Sequence, residues 1–138
     1  MSSALNIRPC RFSEIYLHTD SASFDLHNCF DFAGFSYDTI ARTARLRWIR
    51  NEYAAADQPP SIVIEMRGVT HFSAESRIPG YPFLEDRCLS SVGGVGPSDP
   101  TLEVSSDVPA GSHHVLTFMS GFVLRIGAES VCLLPHDI

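Results

Sequence analysis

The stretch Ser112 to Leu134, SHHVLTFMSGFVLRIGAESVCLL, constrains the fold more than any other. Val115, Thr117 and Met119 alternate with Leu116 and Phe118. Phe122, Leu124 and Ile126 then alternate with Val123, Arg125 and Gly127, and Val131, Cys132 and Leu133 follow a Gly127-Ala128-Glu129-Ser130 connector. Period-two alternation with β-branched and aromatic residues specifies strands, because successive side chains of a strand leave on opposite faces. Ser120-Gly121 suits a tight hairpin, since glycine takes positive φ without a Cβ clash. The stretch is expected to form a three-stranded meander, which needs further strands to cover its apolar face.

Those strands are readable upstream. Arg11 to His18 alternates and is expected as one strand, with Phe12, Ile15 and Leu17 inward. Phe30 and Phe32 share a face; Ala33-Gly34 shifts the register as a bulge does, so that Phe35 and Tyr37 carry the next apolar row. Asp38 to Arg42 reads as a turn. Thr43 to Asn51 places Ala44, Leu46 and Trp48 on one side and Arg45, Arg47 and Ile49 on the other. A helical stripe through Ile40, Ala44, Arg47 and Trp48 is the weaker pattern there. Ser61 to Gly68 is a dense strand that Val69 to Ser76 either continues past a kink or returns to pair with. Pro79 and Pro82 make Ile78 to Asp86 a loop, expected to be packed by Tyr81, Phe83 and Leu84. Cys88 to Val92 is a short strand or helical turn, Gly93 to Pro100 a flexible stretch, and Leu102 to Ser105 another short strand. Short strands at near-regular spacing predict a single all-β domain over residues 1–138. The architecture expected is an antiparallel β-sandwich or partly open barrel of about eight or nine strands, with at most short helical turns.

Composition narrows the function. Sixteen acidic residues against ten arginines, with no lysine, give a net charge of −6, which disfavours nucleic acid as a partner. No apolar segment approaches the roughly eighteen residues of a membrane helix, and the first ten residues lack the pattern of a signal peptide. Cys10, Cys29, Cys88 and Cys132 are scattered and are expected as reduced thiols in a bacterial-type cytoplasm. An open sheet edge would favour pairing with a second copy, so a homodimer is expected.

Candidate sites are few. Pro109-Ala110-Gly111-Ser112-His113-His114 resembles the second signature of the cupin barrels, and Gly68, His71, Glu75 and Gly80 resemble a fragment of the first, with Val69 in place of a histidine. That likeness implies a small-molecule or metal-binding barrel with His71, Glu75 and His114 as ligands; three protein ligands plus water make a normal catalytic shell. Arg45, Arg47 and Arg50 offer planar forks to carboxylate or phosphate, or else pair across the sheet with Asp31, Glu65 or Glu75. His27 with Cys29, and Cys88 beside Arg87, are the only thiols with a helpful neighbour in sequence. No Gly-x-Ser-x-Gly elbow stands at Ser120, and Gly93-Gly94-Val95-Gly96 lacks the lysine of a phosphate loop.

FSYDTIARTARLRWIR, SIVIEMRGVTHFSAESR, PFLEDRCLSSV and FVLRIGAESVCLL together resemble small bacterial all-β proteins, some of them immunity proteins of polymorphic toxin systems. The resemblance implies a non-enzymatic, cofactor-free domain that presents a surface to one protein partner, and it brings no functional residue. An acidic charge suits a basic partner, because opposite fields speed encounter.

Overall fold

The computed structural model describes residues 7–95 and 113–135 and is all-β. Its strands are β1 (Arg8–Pro9), β2 (Arg11–Ser13), β3 (Tyr16–His18), β4 (Ser23–Asp25), β5 (Phe30–Asp38), β6 (Thr43–Arg50), β7 (Ser61–Glu75), β8 (Leu89–Val95), β9 (His113–Phe118) and β10 (Val123–Leu133). Among the described residues the one helical element is a 3-10 turn, Phe83–Arg87. The described residues thus hold ten strands, more than the expected eight or nine, and the expected Leu102 to Ser105 strand lies outside them.

The main sheet is antiparallel in the order β5-β6-β7-β10-β9-β8, with β1 beside the second half of β10. It is rolled up: Phe32 of β5 and Phe118 of β9 meet at 4.7 Å although three strands separate them in the sheet. Bulges supply curvature, since an extra residue bends its strand and sharpens the twist. Ala33 is the extra residue of β5 opposite β6, Thr70 that of β7 opposite β10, and Ser90 that of β8 opposite β9. A second sheet, β2-β3-β4, covers part of the concave side and joins the rim through a Glu14–Val92 bridge. Phe12, Leu17 and Phe24 from this cover meet Leu46, Trp48, Ile62, Ile64, Met66, Leu116, Phe118, Leu124 and Ile126 in one core.

Alternation around Trp48 holds as read, with Ala44, Leu46 and Trp48 buried and Arg45, Arg47 and Ile49 exposed. The Val69 to Ser76 segment continues the strand before it, so β7 runs for fifteen residues past Gly68, whose φ is +66°. Four expectations fail. Gly93 to Val95, expected to begin a flexible stretch, instead ends β8 and pairs with β9. Arg11 to His18 is a hairpin, because Glu14 at φ +57° reverses the chain while Phe12 and Leu17 stay on the same face. Gly127 to Ser130 is no connector but part of β10, which keeps its ladder to β7 by absorbing the Thr70 bulge; the meander is therefore a two-stranded hairpin. Tyr81, Phe83 and Leu84 do not pack their loop but stand exposed.

Candidate functional site

The cover sheet leaves one end of the concave face open, and the residues there are aromatic. Rings follow one another from the core outward. Trp48 meets Phe32 at 4.9 Å, Phe32 meets Phe118, Phe118 meets Phe122 at 5.4 Å, and Phe122 stacks on Phe35 at 6.2 Å. Phe35 then meets Phe72 at 5.7 Å, and Phe72 stacks on Tyr37 at 4.5 Å. At the outer end Phe35 is 42 % and Tyr37 37 % exposed, so the apolar row expected after the Ala33-Gly34 shift points inward without being covered.

A cleft of about 560 Å³ opens at this end, between the edge of β5 and the segment that links β7 to β8. Phe32, Ala33, Gly34 and Phe35 form one wall and Phe122 another; Ser76, Arg77, Asp86 and Arg87 supply the polar side. Gly34, at φ +137°, lines this wall beside the bulge.

The linking segment is held rigidly. Ile78 N–H donates to the Ser120 carbonyl at 2.8 Å, and Met119 N–H donates to that of Cys88 at 2.9 Å. Arg77 Nε donates to both Asp86 oxygens at 3.0 and 3.2 Å, and one terminal nitrogen donates to the carbonyls of Tyr81 and Pro82 at 2.7 and 3.0 Å. Its guanidinium also lies over the Phe83 ring at 4.7 Å. A hydrogen bond from Ser120 leads in holding the Asp86 carboxyl below its ordinary range, aided by Arg77 and opposed by desolvation. Arg87 makes no ion pair or side-chain hydrogen bond among the described residues.

The expected arginine site is largely spoken for. Arg45 and Arg67 both bind Glu65, at 2.8 and 2.6 Å. Burial opposes ionisation of Glu65, but the hydrogen bonds and charge of Arg67 and Arg45 outweigh it and lower its pKa. Arg50 donates to the Ala56 and Gln58 carbonyls, bracing the turn after β6. Arg47 lines a smaller hollow of about 380 Å³ on the outer face with Arg45, Phe35 and Val63.

The three residues of the metal reading do not converge. Neighbouring strand residues point to opposite faces, so His114 turns inward against Phe12 at 5.4 Å, while His113 turns outward and stacks on His71 at 4.4 Å. Glu75 binds Arg125. The stacked pair is no chelate either: with the rings 4.4 Å apart and only 18° between their planes, no single ion lies in both planes at bonding distance. Among the described residues no group of three or more His, Cys, Asp or Glu side chains is arranged to hold a metal ion.

All four cysteines are free. A pairing invisible in sequence brings Cys88 Sγ to 3.4 Å from His27 Nδ1, across 61 positions. That nitrogen sits 2.6 Å from the Leu89 carbonyl, to which it must donate, and so it is no acceptor for the thiol proton. Burial, then the charges of Glu85 and Asp31, raise the Cys88 pKa, the opposite of what a nucleophile needs. Cys29 packs against the core.

No protein-family model, curated protein or solved structure matches this chain. Among the described residues, no helix is long and apolar enough to cross a membrane.

Proposed function

We propose that this chain is a non-catalytic binding domain whose ligand enters the cleft between β5 and the Ser76–Arg87 segment. The observation that carries the reading is the exposed end of the aromatic row: rings that complete the inward pattern of β5 and β7 are left uncovered beside a cleft of ligand size. Clefts of roughly 300–1,000 Å³ with apolar walls and a few polar groups are where proteins bind small molecules. The Cys88–His27 contact, the only Cys–His contact among the described residues, has the wrong hydrogen-bond polarity for catalysis, which fits a binding role. The free cysteines fit a reducing, cytoplasmic setting.

The test is titration with the neutral fluorophore N-phenyl-1-naphthylamine. One equivalent binds to the wild type, and a Phe35→Ala/Phe122→Ala variant that remains folded loses at least tenfold in affinity. Equal binding to both proteins refutes the reading.

A protein partner, as for an immunity-type domain, is a second reading. It is favoured by the loop beside the cleft, where Phe83 is 80 % and Leu84 66 % exposed, as large apolar side chains grouped on a surface mark interfaces. Gel filtration of the chain with the product of the adjacent reading frame tests it: a complex lost on Phe83→Asp supports it, and separate elution counts against it. The same run reports whether β5, which among the described residues has no strand on its outer side in the main sheet, pairs with a second copy.

A further inference from the structure

We infer that the ligand of this cleft is a small organic anion with a flat apolar body, its ring against Phe35 and Phe122 and its acid group on Arg87. The inference rests on the cleft being the binding site and adds the class of molecule it takes.

The argument is one of charge and of donors left over. Two arginines and one aspartate, Arg77, Arg87 and Asp86, give the polar side a net charge of +1 on a chain whose total is −6. Arg77 and Asp86 neutralise each other at 3.0 Å, with Arg77 also held by the Tyr81 and Pro82 carbonyls and Asp86 by Ser120. Arg87, unlike Arg77, faces no carboxylate partner and keeps its whole fork of donors free of protein partners among the described residues, at the end of a 3-10 turn that Arg77 anchors. A carboxylate, sulfonate or phosphate fits such a fork through paired N–H donors. The opposite wall offers ring faces, with Phe35 and Phe122 inclined by only 24°. A cation would meet Arg87 with no free carboxylate to offset it, and a wholly apolar ligand would leave the fork unused.

Two fluorophores with the same skeleton separate the parts: N-phenyl-1-naphthylamine, which is neutral, and 1-anilinonaphthalene-8-sulfonate, which adds one anionic group. Both are titrated into the folded full chain and into Arg87→Gln and Arg87→Glu. Because an exposed ion pair changes a dissociation constant by up to about fivefold, Arg87→Gln weakens the sulfonate about three- to fivefold and Arg87→Glu about tenfold. The neutral probe changes less than twofold in either variant. If the sulfonate binds both variants as it binds the wild type while the neutral probe still binds, the anion assignment is overturned and the cleft reading stands. If the neutral probe fails to bind the wild type, the cleft reading falls and takes the assignment with it.

Discussion

Acidification should destabilise this fold through His114. Its ring faces inward from β9 against Phe12, with Nδ1 buried and without a hydrogen-bond partner. Burial is the main reason its pKa falls from 6.5 to about 4; a hydrogen bond with the Ile126 backbone offsets part of this, and the charge of His113 adds to it. The folded value lies below the unfolded one, so as pH falls the unfolded chain takes up the proton first. The contribution of neutral His114 is therefore whole above pH 6.5 and lost progressively as pH falls to about 4. At about 1.4 kcal/mol per pH unit, the gap corresponds to about 3 kcal/mol. Urea denaturation at a series of pH values measures the loss. His114→Leu removes the titrating group together with the buried unpaired nitrogen, so its stability should match the wild type near pH 7 and exceed it by about 2–3 kcal/mol near pH 4.5. A His114 ring resonance that titrates near 6.5, or an equally steep acid loss in His114→Leu, would refute this.

Three further outcomes follow from the packing. Glu65→Gln should cost about 1–2 kcal/mol at pH 7, a cost held down because Arg45 and Arg67 are half exposed; since the Glu65 pKa is lowered on folding, the difference from wild type should begin to shrink as pH falls below 4.5 and be gone once pH is below the lowered folded pKa, as read by parallel urea titrations. Phe118→Ala should cost about 3–5 kcal/mol, because the ring is buried against Phe32, Phe122 and Trp48, whereas Phe35→Ala should cost about 1 kcal/mol and weaken probe binding; thermal melts and fluorescence separate the two effects. Gly121→Ala should cost about 1–3 kcal/mol in the same melts, because φ is +84° and the new Cβ would overlap Ile78; the shifted Ile78 segment should also loosen the cleft.

Much of the sheet was legible because alternation reports which face a side chain leaves on. Ala44, Leu46 and Trp48, and Ile62, Ile64 and Met66, are buried as their spacing requires. Alternation does not report whether the chain turns back: Phe12 and Leu17 keep their face through the Glu14 reversal, and Gly127 to Ser130 looks like a turn yet is paired to β7. Nor does it report whether a face is covered, which is why Phe35 and Tyr37 read as core and stand exposed. The cleft was illegible for a related reason. Its walls come from residues 32–35, 76–77, 86–87 and 122, which only the rolled sheet brings together. Arg45 and Arg47 stood out by density in sequence, whereas Arg87 matters because of what its neighbours leave unpaired.

Mapping backbone amide shifts on addition of N-phenyl-1-naphthylamine tests the central claim most directly. Changes should concentrate at Phe32 to Phe35, Ser76, Arg77, Asp86, Arg87 and Phe122. They should be absent from Gln58, Ser61, Ile62 and Leu133, which line a second cleft of similar size, about 500 Å³. Shifts centred on that second cleft, or spread evenly over both, would contradict the claim that the uncovered aromatic end of the sheet is where this protein binds.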